Sequence, residues 1–164
     1  MSITLKTDHG DIKIELFCLA TPKTCENFLA LCASGYYDNC KFHRNIPGFM
    51  IQTGDPTGTG KGGTSIWGRM FEDEIKSSLK HNDRGIVSMA NKSKPDTNGS
   101  QFFITYERHP HLDSKHTVFG KVIDGFDTLD ALEKVPINEK NKPLKDIFIR
   151  EVVIHANPIA ENVR

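Results

Sequence analysis

The apolar residues of this chain occur in short runs separated by clusters of Gly, Pro, Asn and Asp, and this spacing limits the folds that the chain can adopt. Apolar and polar residues alternate over residues 3–5 and 12–16, on either side of the turn sequence Asp8-His9-Gly10-Asp11. The alternation predicts a β-hairpin with one buried face. Similar runs recur from Lys41 to Phe119, so we expect further short strands joined by long irregular loops.

Two segments have helical spacing. In the first, Thr21 can cap the helix, Pro22 fits its first turn, and apolar residues recur at helical intervals until Gly35. The second lies near Phe126 to Lys134, and a final strand is expected over residues 147–155. Seven or eight strands and two helices, without strand-helix-strand alternation, predict a mainly β fold in which an antiparallel sheet closes into a barrel and the helices cover its ends.

Length and charge narrow the organisation and the partners. The 164 residues predict a single domain over residues 1–157, followed by a short C-terminal tail, residues 158–164. With 21 basic and 21 acidic side chains, the formal net charge is zero, so we expect no nucleic acid and no membrane among the direct partners. The chain is expected to act as a monomer.

An intracellular location, cytoplasmic or nuclear or both, is expected. The N-terminal residues lack the basic and apolar regions of a signal peptide, and no apolar run is long enough to cross a membrane. The four cysteines lack C-x-x-C spacing and are predicted to be buried thiols.

Three motifs suggest other functions, and each lacks part of its expected pattern. The sequence Gly58-Thr59-Gly60-Lys61-Gly62-Gly63 satisfies G-x-G-x-x-G, but the residues that follow do not begin a helix, so nucleotide binding is disfavoured. The histidines at 109, 111 and 116 do not have a spacing typical of structural zinc, and no metal and no cofactor is expected. Asp113, Ser114 and His116 are too close in sequence for a hydrolase triad.

Several sequence motifs occur in a fixed order along the chain. They are F-H-R-x-I-P-G-F-M-x-Q from Phe42 to Gln52, F-E-D-E from Phe71 to Glu74, S-M-A-N from Ser88 to Asn91, and N-G-S-Q-F-F-I from Asn98 to Ile104. Together they resemble the cyclophilins, and the resemblance extends from about Ile3 to Ile154. It implies an eight-stranded antiparallel closed barrel capped by two α-helices, and peptidyl-prolyl cis/trans isomerase activity on Xaa-Pro bonds of peptides and proteins.

The resemblance also implies roles for individual residues. Arg44 matches the catalytic arginine of the family, with Gln52 expected to orient it and the Asn91 backbone expected to hold the turning carbonyl. The other residues expected to bind substrate form the proline pocket, its rim and the groove for the substrate backbone: Phe49, Met50, Ala90, Gln101, Phe103, His111, Leu112 and His116.

Two departures from the family pattern concern specificity. The segment from Ala90 to Asn98 is one residue longer than usual and lacks the glycine before its proline. His111 occupies the position where many cyclophilins carry a tryptophan that contacts cyclosporin, so weakened cyclosporin binding is expected. The chain looks most like the single-domain subgroup associated with spliceosomes, which makes splicing factors the expected clients in folding or remodelling.

Two alternative functions remain open from the sequence. A cyclophilin fold can serve as a non-catalytic proline-peptide binding module within a larger complex, although such a module has no need of Arg44. A metal-dependent hydrolase built from the histidine cluster predicts bound zinc.

Overall fold

The computed structural model describes residues 1–155, and the predicted tail, residues 158–164, lies outside them. The described part contains two α-helices, one 3₁₀ helix and nine strands. The helices are α1 (Pro22–Ala33), the 3₁₀ helix (Pro110–Leu112) and α2 (Phe126–Glu133). The strands are β1 (Ser2–Thr7), β2 (Gly10–Leu16), β3 (Cys40–Lys41), β4 (Arg44–Ile46), β5 (Met50–Thr53), β6 (Ile86–Met89), β7 (Phe102–Thr105), β8 (Val118–Asp124) and β9 (Phe148–His155).

All the strands belong to one antiparallel sheet, whose order is β3-β9-β1-β2-β8-β6-β7-β5-β4. The mainly β class and both predicted α-helices are confirmed. In residues 1–155 the strands number nine rather than the expected eight, because the two-residue β3 pairs with β9 separately from β4. The two ends of the ladder, β3 and β4, are neighbours in the chain, and the Thr53 hydroxyl of β5 donates a hydrogen bond of 2.8 Å to the Lys41 carbonyl of β3.

The predicted hairpin is confirmed, and its apolar face forms part of the core. Ile3 pairs with Ile14, and Leu5 pairs with Ile12, and all four side chains are buried. Helix α1 packs Phe28 against the rings of Tyr37, Phe102 and Phe119 at centroid distances of 5.1–5.4 Å. None of the helices in residues 1–155 is long and apolar enough to span a membrane.

The N-terminus of α1 is capped differently from the prediction. The Thr21 hydroxyl donates to the Phe17 carbonyl at 2.9 Å, and the structure shows no side-chain cap from Thr21. Instead, the carboxylate of Glu74 accepts hydrogen bonds from the backbone N–H groups of Lys23 and Thr24 at 3.3 and 2.6 Å. A carboxylate at a helix N-terminus satisfies N–H groups that have no partner within the helix. The cap is therefore supplied by a loop about 50 residues away in the sequence.

Candidate active site

Three predicted site residues lie side by side on neighbouring strands. Arg44 of β4 is paired with Gln52 of β5, and Gln52 is paired with Phe103 of β7. Directly paired residues in a sheet project from the same face, so the cation, the amide and the ring are presented together. The family resemblance grouped these residues in one site, but their spacing alone could not reveal the strand pairing, because they are separated by up to 59 positions.

A cavity of about 210 Å³ opens at this point. Nine of the eleven predicted site residues line it, and the sequence analysis did not anticipate a tenth, Ser93. The lining residues are Arg44, Phe49, Met50, Gln52, Ala90, Asn91, Ser93, Phe103, Leu112 and His116. Met50, Phe103 and Leu112 form a buried apolar cluster that is distinct from the main core. The cavity thus combines an apolar floor with polar groups at its rim.

Phe49 reaches the cavity from a turn. Strand β5 begins at Met50, and the Phe49 N–H donates to the Ile46 carbonyl at 2.9 Å, so Phe49 does not take part in the strand alternation. Its side chain packs on the Met50 cluster, whereas Ile51 faces the main core.

The Arg44 side chain is exposed at the rim. Within residues 1–155 the structure gives its guanidinium neither a hydrogen-bond acceptor nor a carboxylate partner. Gln52, expected to orient it, pairs with Arg44 through the backbone, while its side-chain amide donates to Gln101 Oε1 at 2.8 Å. The guanidinium donors are therefore available to a ligand in the cavity.

Gln101 does not line the cavity but lies beside it. It borders a neighbouring cavity of about 420 Å³ that shares Gln52, Ala90 and Asn91 with the first. Its amide nitrogen donates to the carbonyls of Gly60 and Gly62, both at 3.0 Å. Gln101 therefore connects the paired residues Arg44 and Gln52 to the glycine-rich loop, residues 58–63.

The glycine-rich loop folds around a carboxylate of the chain itself. Asp55, which is 0% exposed, accepts hydrogen bonds from the backbone and hydroxyl of Thr57, the hydroxyl of Thr59, and the N–H groups of Gly60 and Gly62. Burial alone would raise the pKa of Asp55, but these hydrogen bonds outweigh it and lower the pKa to about 2. A Cβ atom at Gly62 would collide with the Asp55 carboxylate, which explains the glycine there.

The loop after Asn91, which is one residue longer than in the family pattern, is held by hydrogen bonds at both ends. The Asn91 side chain donates to the Lys115 carbonyl at 2.8 Å and accepts from the Ser93 N–H at 3.0 Å. Farther along, the N–H groups of Asp73 and Asp96 each donate to the other residue's carboxylate, at 2.9 and 3.1 Å. The side chain of Asn91 is thus engaged within the protein.

His116 and His111 occupy different positions around the cavity. His116 lines it, and because its Nδ1 faces the Met89 carbonyl at 2.9 Å, that nitrogen carries the hydrogen. Burial lowers the pKa of His116, although the bond to Met89 opposes this shift. His111 is exposed and does not line the cavity, but its ring lies 5.8 Å from that of Phe49.

A buried histidine that the sequence analysis missed lies behind the cavity. His81, 0% exposed, stacks on Phe103 at 6.0 Å, with Nδ1 placed 2.9 Å from Asp113 Oδ1 and Nε2 placed 2.9 Å from the Ser88 hydroxyl. Burial lowers the pKa of His81, against the opposing effect of Asp113. Asp113 thus pairs with His81, not with His116, and Ser88 is buried where no substrate can reach it.

The zinc hypothesis finds no support in the described part of the chain. Across residues 1–155 no three His, Cys, Asp or Glu side chains lie together in a way that could hold a metal ion. His109 instead donates a ring hydrogen to the Gly48 carbonyl.

Comparisons with known proteins identify a family and close relatives. Residues 2–154 match the family model described as cyclophilin type peptidyl-prolyl cis-trans isomerase/CLD. The chain is 73% identical to peptidyl-prolyl cis-trans isomerase-like 3 of Rhizopus delemar, over 98% of both chains. It is 70% identical to the human protein of that name, over 98% of this chain and 100% of the relative. A crystal structure of a Cryptosporidium parvum cyclophilin type isomerase in the presence of the dipeptide Ala-Pro has a TM-score of 0.93 and 57% identity, and the match covers 96% of this chain and 100% of that one.

Proposed function

Because this chain belongs to the cyclophilin-type peptidyl-prolyl cis-trans isomerases, we propose that it rotates Xaa-Pro bonds in the 210 Å³ cavity, with Arg44 as the catalytic residue. The observation that carries the proposal is the exposed guanidinium of Arg44 at the rim of an apolar floor formed by Met50, Phe103 and Leu112. The floor suits a proline ring, and the rim supplies hydrogen-bond donors and acceptors. The match to a structure determined with Ala-Pro supports a proline-containing substrate.

The chemistry requires no nucleophile, because rotation about a peptide bond breaks no covalent bond. The barrier of about 18–20 kcal/mol arises from amide resonance. In the twisted state the proline nitrogen loses conjugation and becomes a hydrogen-bond acceptor. A guanidinium that donates to this nitrogen stabilises the twisted state more than either planar state, which lowers the barrier.

Arg44 cannot supply the whole rate enhancement by itself. A hydrogen bond to a charged group contributes about 1.5–3 kcal/mol, whereas an acceleration of about 10⁵-fold requires about 7 kcal/mol. In our proposal the apolar floor and backbone contacts at Asn91 supply the remainder, by holding the ring while the preceding carbonyl turns. The side chain of Asn91 is occupied by Lys115 and Ser93, so its backbone is the group assigned to the substrate.

A protease-free isomerisation assay on a short Xaa-Pro peptide tests the proposal. We expect Arg44→Ala to lower kcat/KM by about 10- to 100-fold with peptide binding largely retained, and Arg44→Lys to be intermediate because it keeps the charge but loses the planar fork. Arg108→Ala removes another exposed arginine and serves as the matched control. Wild-type protein that binds the peptide without accelerating its isomerisation would instead favour the non-catalytic binding module.

We also propose that the clients include splicing factors and that the protein is present in the nucleus. The resemblance to the single-domain subgroup associated with spliceosomes supports this assignment. Affinity capture from nuclear extract, with the wild-type protein as bait, tests it. Recovery of more spliceosomal proteins with this bait than with a bait whose cavity is blocked supports the proposal. Recovery of no spliceosomal proteins contradicts it.

A further inference from the structure

The turn that carries Phe49 is held by two side chains from distant parts of the chain. Gly48, in the turn, has φ of 76°, its N–H donates to Glu133 Oε2 at 2.8 Å, and its carbonyl accepts from His109 Nε2 at 2.9 Å. Both polar backbone groups of one turn residue are thus bound by side chains 85 and 61 positions away. A turn that served only to reverse the chain would not need these contacts.

The contact from Glu133 is itself fixed. Arg84 donates to Glu133 Oε1 at 2.8 Å, to the Tyr106 carbonyl at 2.9 Å and to Asp130 Oδ1 at 2.6 Å. The Glu133 side chain therefore has one oxygen on Arg84 and the other on Gly48. This arrangement anchors the turn to α2 from one side.

His109 contacts two different parts of the cavity wall. Its ring lies edge-on to Phe49, with centroids 4.8 Å apart and planes at 74°. Its backbone carbonyl accepts from the Leu112 N–H at 3.1 Å, in the 3₁₀ helix, and its own N–H donates to the His81 carbonyl at 2.8 Å. Phe49 and Leu112 both line the cavity, so a single residue is bonded to the turn and to the helix that carry them.

We propose that His109 is a positioning residue for substrate binding, setting the spacing between Phe49 and Leu112 through its hydrogen bond to Gly48. The inference rests on the proposed function and adds to it a residue that does not line the cavity. Because the acceptor is a carbonyl, Nε2 must carry the hydrogen. Loss of that donor frees the turn on one side while Arg44 and Gln52, on the adjoining strands, keep their pairing. The effect should therefore fall on KM rather than on kcat.

Substitutions that keep or remove the hydrogen-bond donor at position 109 test this proposal. In His109→Gln the amide nitrogen can occupy the place of Nε2, whereas His109→Ala has no donor. We expect His109→Ala to raise KM for a short Xaa-Pro peptide about fivefold with kcat changed by less than about twofold. We expect His109→Gln to restore KM to within about twofold of wild type, and the neighbouring exposed Arg108→Ala to match wild type.

An unchanged KM in active His109→Ala, or a His109→Gln variant as impaired as His109→Ala, overturns the role of His109 and leaves the isomerase assignment intact. If the wild-type protein binds the peptide without turnover, the proposed function fails, and the dissociation constants of the same variants test His109 directly. If His109→Ala does not fold, His109→Asn replaces it, because its shorter amide cannot reach the Gly48 carbonyl.

Discussion

Gln52 donates its amide hydrogen to Gln101 Oε1 at 2.8 Å, so the residue paired with Arg44 across the strands is tied to the glycine-rich loop. Gln101 in turn donates to the carbonyls of Gly60 and Gly62, and the N–H groups of the same two glycines donate to Asp55. A buried carboxylate is thereby linked, through one loop and two amides, to the strand position paired with Arg44.

The two amides should act as one unit. We expect Gln52→Ala and Gln101→Ala each to lower kcat/KM about fivefold, because either change removes the hydrogen bond between the two amides. The double variant should lose little more than either single variant, since residues within one hydrogen-bond network are not additive. The same peptide isomerisation assay measures all three. Losses that multiply in the double variant would show that the two residues act independently.

Replacing Asp55 should destabilise the protein. Asp55→Asn preserves the shape but replaces an oxygen acceptor with an NH₂ donor that faces N–H and hydroxyl donors. We expect the free energy of unfolding to fall by about 1–3 kcal/mol in urea denaturation near neutral pH. Thr59→Val is the control and should cost less, because it removes the longest of the five contacts to Asp55, at 3.3 Å, together with two exposed hydrogen bonds to Thr57 and Lys61.

The contribution of Asp55 to the free energy of unfolding should also depend on pH. Its folded pKa, about 2, lies below the unfolded value of about 3.9, so its stabilisation is present above the unfolded pKa and is lost as the pH falls through the folded pKa. The shift corresponds to roughly 2–3 kcal/mol. The stability difference between wild type and Asp55→Asn should therefore narrow between about pH 5 and about pH 2. A difference that stays constant over this range would argue against the assignment.

Three histidines should make stability fall in mild acid. Burial lowers the pKa of His43, His81 and His116, so below about pH 6.5 the unfolded chain binds protons that the folded protein does not. We expect the free energy of unfolding to decrease between about pH 7 and pH 5.5, by at most about 4 kcal/mol for the three groups. In His81→Gln the pH dependence should be about a third less steep, and an unchanged slope in that variant would contradict the role of His81.

Cyclosporin affinity should respond to residue 111. His111 is exposed beside Phe49 and offers less apolar surface than a tryptophan would. We expect wild-type protein to bind cyclosporin weakly and His111→Trp to tighten binding about tenfold, as burial of about 50 Å² more apolar surface would produce. Calorimetric titration measures both. Tight, nanomolar binding by the wild type would contradict the expectation.

The elements and most of the cavity were predictable because they depend on local patterns and on matched motifs. The hairpin follows from its alternation, and α2 was expected to start at Phe126, where it does start. What could not be predicted depends on contacts between distant segments. Glu74, about 50 positions away, replaces Thr21 as the cap of α1. His81 was missed because it lies in none of the matched motifs and meets Asp113 and Ser88 only in the folded chain.

The carboxylate of Asp55 fixes the conformation of the glycine-rich loop before any ligand binds. A loop rich in glycine ordinarily samples many conformations and becomes ordered only when an anion arrives. Here the anion is Asp55, tethered to the same chain, so the conformational entropy of the loop is lost during folding and not during binding. The cavity of about 420 Å³ that this loop borders is therefore preorganised. The loop should keep one conformation whether or not a peptide is present.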